Sequence, residues 1–135
     1  MHQLYNAKYF WKLLLLACLL FGCGTSAEPT PLPEASLTSA QAHGKQLFGG
    51  LPGNCATCHS LEANVTIVGP SLNGVASRAG SRVAGLDARQ YFEQSILHPD
   101  AYLVEGFGNL MPKDLGKKLT TPELNDLIEF LLTLQ

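Results

Sequence analysis

The feature that most constrains the fold is the segment of residues 49–86, which is rich in glycine and has little apolar periodicity. Residues on both sides of it, at 38–48 and 87–97, show helical patterns instead. Aperiodic connections of this length are uncommon inside a compact domain, because they bring little apolar surface to a core. The sequence therefore predicts that a group other than protein fills the centre of the domain.

That segment contains the sequence Cys55-Ala56-Thr57-Cys58-His59. The pattern C-x-x-C-H is the attachment signature of c-type haem. Two thiols at this spacing can form thioether bonds with the two vinyl groups of one porphyrin, and the next residue, His59, can then bind the iron. We therefore predict one covalent haem c, with its iron, held by Cys55, Cys58 and His59.

Three other interpretations of the cysteine pair remain. A structural zinc site uses four ligands, usually two such pairs, whereas the other cysteines here are Cys18 and Cys23 in the apolar N-terminal region. A thioredoxin-type redox motif opens a helix after a buried strand, and no strand pattern precedes Cys55. A disulfide between Cys55 and Cys58 leaves the long aperiodic segment unexplained.

A second axial ligand is expected from Met111, which lies in a loop next to Pro112. The only other methionine, Met1, belongs to the N-terminal signal described below. Iron bound by Met and His has a raised reduction potential and suits electron transfer. The competing side chains are His43, which we predict to be a packing or surface residue, and His98, which we predict to be a helix cap.

Residues 1–22 have the pattern of a secretory signal, with two lysines and no acid before an unbroken apolar run at 13–21. The run is shorter than the ~20 residues of a membrane-spanning helix, which favours a cleaved signal. An uncleaved, tilted anchor helix is the alternative. Its end, Leu20-Phe21-Gly22-Cys23, resembles the bacterial lipobox, although Phe21 replaces a small or β-branched residue. We predict cleavage before Cys23 and lipidation of Cys23, which anchors the protein to a membrane.

Residues 23–36 contain Pro29, Pro31 and Pro33 among small and polar residues. We predict an extended tether that lets the folded domain reach its partners. The alternative is a disordered stub whose length is not under selection. The predicted organisation is therefore a lipoprotein signal peptide at 1–22, a lipidated cysteine and tether at 23–36, and one folded domain at 37–135.

The charge of the chain limits the classes of partner that it is expected to bind. Nine lysines and arginines stand against eleven acidic residues, and removal of residues 1–22 takes away two lysines and no acid. This balance excludes broad neutralisation of phosphates, so we predict no nucleic-acid partner. No nucleophile with a neighbouring base and no paired carboxylates stand out, so we predict that the protein is not an enzyme.

Three helices are expected in the folded domain. The first covers residues 38–48, and the second covers 87–97 and ends before a proline. The third begins at Thr120 or Thr121, with Pro122 and Glu123 in its first turn. One apolar stripe follows along it: Leu124, Leu127, Ile128, Leu131 and Leu134.

Over residues ~37–135 the chain resembles the class I c-type cytochromes. The resemblance implies an all-α fold with about three to five short helices wrapped around a covalent haem. In that family a small residue and an aromatic residue of the N-terminal helix pack against the C-terminal helix, and Gly44, Phe48 and Phe130 match this pattern.

The same resemblance implies roles for site residues. The family has a Gly-Pro pair after the haem motif, here Gly69-Pro70, and the Pro70 carbonyl would accept a hydrogen bond from the ring of His59. Met111, followed by proline, matches the family's sixth ligand. In similar chains an arginine near Arg82 pairs with a haem propionate.

Other polar residues are weaker candidates for contact with the same groups. Arg78 is the second candidate for a propionate, because a guanidinium can pair bidentately with a carboxylate. Tyr102 and Asn109 are candidate donors to a propionate or to the methionine sulfur.

Residues 78–112 resemble more narrowly the cytochrome domains of haem–copper oxidase subunits and the small lipoprotein cytochromes of respiratory complexes. Those proteins usually have Asn-Pro where this chain has His98-Pro99. The resemblance implies a monohaem cytochrome that passes single electrons at the outer, periplasmic face of a bacterial membrane.

Three hypotheses about its role remain. The protein is a tethered mobile carrier between redox protein partners, or a fixed subunit of a respiratory or photosynthetic complex, such as the lipoprotein monohaem cytochrome of alternative complex III. In the third hypothesis it is a haem-based sensor or small redox enzyme in which Met111 leaves the iron.

Overall fold

The computed structural model describes residues 36–135, so the predicted signal peptide, Cys23 and almost all of the tether lie outside the described residues. Within residues 36–135 the chain forms five α-helices and one 3₁₀ turn, with no strand. This confirms the predicted all-α class. The elements are α1 (Ser39–Gly49), the 3₁₀ turn (Cys55–Thr57), α2 (Val75–Ala79), α3 (Ala88–Leu97), α4 (Leu115–Lys118) and α5 (Thr121–Leu131).

The three longest helices are the predicted ones, and each begins with a capping box. The side chain of the cap residue accepts a hydrogen bond from the backbone N–H three residues later, and the side chain at that later position accepts one from the backbone N–H of the cap. These reciprocal bonds satisfy amide groups that a helix start otherwise leaves unpaired. The three pairs are Thr38 with Gln41, Asp87 with Gln90, and Thr120 with Glu123.

Two short helices, α2 and α4, lie in segments where the sequence predicted none. Each has five residues or fewer, which is too short for an apolar period to show in the sequence. Both nevertheless contribute to the core, since Val75 and Ala79 of α2 and Leu115 of α4 are buried. The predicted aperiodic segment therefore contains one short α-helix, α2, in addition to the 3₁₀ turn.

Helices α1 and α5 cross at Gly44, where a Cβ atom would overlap the backbone carbonyl of Asp126. Only glycine permits this approach of the two backbones. Beside the crossing, the rings of Phe48 and Phe130 meet at a tilt with centroids 5.6 Å apart. The packing of the first helix against the last, expected from the resemblance, is confirmed.

A hydrogen bond between surface side chains bridges the same two helices. Nδ1 of His43 lies 2.7 Å from a carboxylate oxygen of Asp126, and both side chains are partly exposed to solvent. His43 is thus a surface residue, as predicted.

The protein core is built mainly from α1, α3 and α5. Its largest fully buried side chains are Leu127 and Ile128, on the predicted stripe of α5. Helix α5 ends at Leu131, but Leu134, from the same stripe, still packs against the core. Within residues 36–135 no helix is long and apolar enough to cross a bilayer.

Candidate functional site

A cavity of about 630 Å³ lies beside this core. Its walls come from residues 51–59 and 68–72, from helix α3 and from the loop that follows it, and they are mostly apolar. The volume is in the range of cavities that enclose small-molecule ligands and cofactors. The six main site residues predicted within the folded domain line it: Cys55, Cys58, His59, Pro70, Arg82 and Met111.

The two cysteines lie at the start and just after the end of the 3₁₀ turn. The N–H groups of Cys58 and His59 both donate to the carbonyl oxygen of Cys55, at 3.0 and 2.9 Å. This turn brings Cys55, Cys58 and His59 onto the wall of one cavity. A tight approach precedes it, because a Cβ atom on Gly53 would overlap the carbonyl oxygen of Leu47.

Both cysteines are free thiols, so the structure contains no disulfide between them. Burial raises the pKa of the Cys55 thiol to about 11, which outweighs the opposing effect of a backbone hydrogen bond. Residues 36–135 also contain no cluster of three or more His, Cys, Asp or Glu side chains that would hold a metal such as zinc. Thioether formation needs two free thiols that line the same cavity, and this turn provides them.

The ring of His59 is fixed between two neighbouring residues. Its Nδ1 lies 2.8 Å from the carbonyl oxygen of Pro70. Because a carbonyl only accepts, Nδ1 carries the proton and Nε2 keeps a free lone pair for a metal. A Cβ atom on Gly69 would overlap the same ring, so the residue pair that precedes α2 determines both the position and the tautomer of His59.

The two arginines of this region have different environments. Arg78 lies outside the cavity wall, and its guanidinium donates to the backbone oxygens of Asn73 and Ser71, at 2.6 and 2.8 Å. Arg82 lines the cavity, with its guanidinium carbon 5.8 Å from the ring centroid of Tyr91. The Nε atom of Arg82 is buried and finds no hydrogen-bond partner among the described residues.

An unpaired buried donor of this kind is costly, so its presence in a cavity indicates an anionic or polar group of a ligand. Haem carries carboxylate propionates, and a guanidinium is suited to pair with them. The resemblance ranks Arg82 ahead of Arg78 for this role, and the guanidinium of Arg78 already donates to two backbone oxygens.

Met111 is half-buried and lines the cavity from the loop between α3 and α4. The competing histidines do not line it. His43 pairs with Asp126, and His98 is exposed and closes α3 through its backbone N–H, which donates to the carbonyl of Gln94.

The two weaker candidates also differ. Tyr102 lines the cavity and meets the ring of Tyr91 edge-on, with centroids 6.0 Å apart. Asn109 is exposed and lies outside the wall.

Part of the apolar wall was not anticipated from the sequence. These side chains come from loops without periodicity, so no pattern in the sequence marks them as lining residues. They include Leu51, Val68, Leu103, Val104, Phe107 and Leu110.

The residues present fit a covalent haem, since apolar walls, two free thiols, an oriented imidazole, a thioether sulfur and a guanidinium with an unpaired, buried Nε share one cavity. A comparison with curated proteins finds no match. The family model described as cytochrome c matches residues 41–135, which is most of the chain and includes every residue of this site. The chain therefore belongs to the cytochrome c family.

Proposed function

We propose that this protein is a monohaem cytochrome that passes single electrons between redox partners at the outer face of a bacterial membrane. The family supplies the coarser part of that statement, because cytochromes c are electron-transfer proteins with covalently bound haem c and iron. One observation carries the proposal for this chain: Cys55, Cys58, His59 and Met111 line a single, largely apolar cavity.

In the proposed site, Cys55 and Cys58 would hold the haem through thioether bonds, while His59 and Met111 would bind its iron. Bound haem supplies an iron that alternates between the ferric and ferrous states. The protein's part is to hold both ligands in place in both states. The hydrogen bond from His59 to the Pro70 carbonyl supports this role, because it fixes the ring and raises its basicity.

The proposed role of Arg82 is to pair with a propionate. Its buried, unpaired Nε supports this assignment, and so does its place on the cavity wall. Apolar side chains around the cavity exclude water from the rest of the site, and this strengthens electrostatic interactions there.

Covalent attachment is tested by the intact mass and haemochrome spectrum of the mature chain produced with a c-type haem maturation system. We expect one haem per chain in the wild type, attached through two thioethers. The Cys55→Ala and Cys58→Ala variants should each keep at most one thioether, which shifts the haemochrome band. Two thioethers in either variant would contradict the assignment.

We propose further that the protein is anchored by lipid on Cys23. The lipobox-like residues 20–23 support this, as does the family, whose cytochrome c domains usually lie outside the cytoplasm. Replacement of Cys23 by Ser should move the protein from the membrane fraction to the soluble extracytoplasmic fraction. Retention of the Cys23→Ser variant in washed membranes would contradict a lipid anchor.

The proposed assembly is a mobile carrier for, or a subunit of, a respiratory or photosynthetic complex, for example alternative complex III. Mild detergent solubilisation followed by sizing separates the two forms. Comigration with quinol-oxidising subunits would identify a fixed subunit, whereas migration alone would identify a carrier.

A further inference from the structure

The two sides of the cavity are held by very different numbers of hydrogen bonds. On the His59 side, the N–H groups of Val68 and Gly69 donate to the carbonyl of Cys58, and that of Leu72 donates to Ser60. Side-chain bonds from Ser71 and Asn73 to the backbone at residues 61–62, and from Arg78 to the backbone at 71 and 73, add to these. The proximal ligand thus stands on a densely bonded scaffold.

Among residues 36–135, the Met111 side has no comparable set of hydrogen bonds. The backbone bonds of residues 103–112 are local: Phe107 donates to Val104, Leu110 donates to Gly108, and the carbonyl of Pro112 accepts from Leu115. Within residues 36–135, one side-chain hydrogen bond joins residues 103–113 to the rest of the protein. It is the bond from Nζ of Lys113 to the carboxylate of Asp100, at 2.7 Å.

This bond connects the segment that contains Met111 with the residues that follow α3. Asp100 follows Pro99, which is buried, lines the cavity and comes two residues after the end of α3. Lys113 comes two residues after Met111. The ion pair therefore ties the methionine segment to the loop just after α3, a helix that also lines the cavity.

We propose that Asp100 and Lys113 are positioning residues whose ion pair holds the Met111 segment against the end of α3 and so limits the dissociation of the methionine sulfur. The proposal rests on the proposed role of Met111 as an iron ligand. Both side chains are about half exposed, so the pair contributes little to global stability. The Met111 segment has few other hydrogen bonds, so the same small contribution is a large part of the free energy needed to open that segment locally.

The test is the affinity of the ferric, haem-loaded chain for imidazole, which binds only when the methionine leaves. Imidazole titrations would compare the wild type with Lys113→Gln, Asp100→Asn, the double variant and the charge-swapped pair Lys113→Asp with Asp100→Lys. We expect each single variant to bind imidazole about two- to fivefold more tightly, as the loss of an exposed ion pair predicts. The double variant should bind no more tightly than either single one, and the charge swap should restore the wild-type affinity.

The matched control is Arg89→Gln, which breaks the surface pair of Arg89 with Glu129 away from the cavity. Lys117→Gln is the control for charge, because it removes a nearby cation that makes no ion pair among the described residues. Both should leave imidazole affinity unchanged. Unchanged affinity in the single variants, additive effects in the double variant, or failure of the charge swap would each overturn the proposal.

The absorption band that ferric iron shows with a bound thioether separates this proposal from the ligand assignment. If the wild type shows the band and only the imidazole effects are missing, the ion pair is not a positioning device and Met111 remains the ligand. If the wild type lacks the band, the ligand assignment and the proposal both fail.

Discussion

At the scale of single residues, the site depends on a few positions that tolerate no other residue. Gly69 is one of them, because a Cβ atom there would overlap the ring of His59. The sequence suggested the Gly-Pro pair only through resemblance to a family. The physical reason for glycine at this position is the lack of room for a Cβ atom, which depends on the folded position of the His59 ring.

We predict that Gly69→Ala displaces the ring of His59 from the Pro70 carbonyl. The added methyl group should cost about 1–3 kcal/mol of unfolding free energy, because it overpacks a fixed ring. Denaturant unfolding of the haem-loaded chain measures it. Gly49→Ala is the matched control, since a Cβ atom there meets nothing within 4 Å. Equal stabilities for the two variants would contradict this account of His59.

A second prediction at this scale concerns Arg82. Replacement by Gln removes the proposed charged partner of a propionate and should cost about 1.5–3 kcal/mol of unfolding free energy in the haem-loaded chain. The reduction potential should fall, because loss of a nearby positive charge favours ferric iron. Arg89→Gln, in an exposed ion pair, should cost about 1 kcal/mol or less. A loss at Arg82 no greater than at Arg89 would argue against the propionate contact.

At the scale of elements, the capped helices were predictable and the short ones were not. Helices α1, α3 and α5 carry cap residues and enough apolar positions for a period to appear. Helices α2 and α4 are stabilised by packing rather than by local sequence, and they are too short to show an apolar period in the sequence. The same limit applies to the loop residues of the cavity wall.

The capping box of α5 predicts a dependence of stability on pH. The backbone N–H of Thr120 is the main cause that holds the pKa of Glu123 below its ordinary value of 4.5, and the Thr120 hydroxyl adds to the effect. A folded-state pKa below the unfolded one gives stability at neutral pH that is lost as the pH falls through the folded-state value. The unfolding free energy should therefore drop in acid.

Glu123→Gln tests this directly, because α1 and α3 already use Gln at the equivalent position of their capping boxes. We expect the variant to keep its helix cap and to lose less stability than the wild type between neutral and acid pH. Denaturant unfolding at a series of pH values measures the difference. Glu105→Gln, which replaces an exposed carboxylate, is the control. An identical pH profile for Glu123→Gln and wild type would contradict the prediction.

At the scale of the whole molecule, the folded domain has a core on one side and a cavity on the other. Buried apolar side chains come mainly from three helices, and residues 51–72 form the part of the wall that carries the two cysteines and His59. The aperiodic segment at residues 49–86, which predicted a non-protein group at the centre of the domain, contains this part of the wall. The sequence could therefore predict the need for a cofactor and its attachment residues, but not the shape of the cavity.

The measurement that tests the central claim most directly is an optical redox titration of the haem-loaded wild type and the Met111→Ala variant. The account predicts a reversible one-electron transition in the wild type, with the ferric thioether band and no carbon monoxide binding in the ferrous state. Met111→Ala should lose the band, lower the reduction potential and let ferrous iron bind carbon monoxide. An unchanged spectrum and potential in Met111→Ala would contradict the claim that Met111 is the second axial ligand.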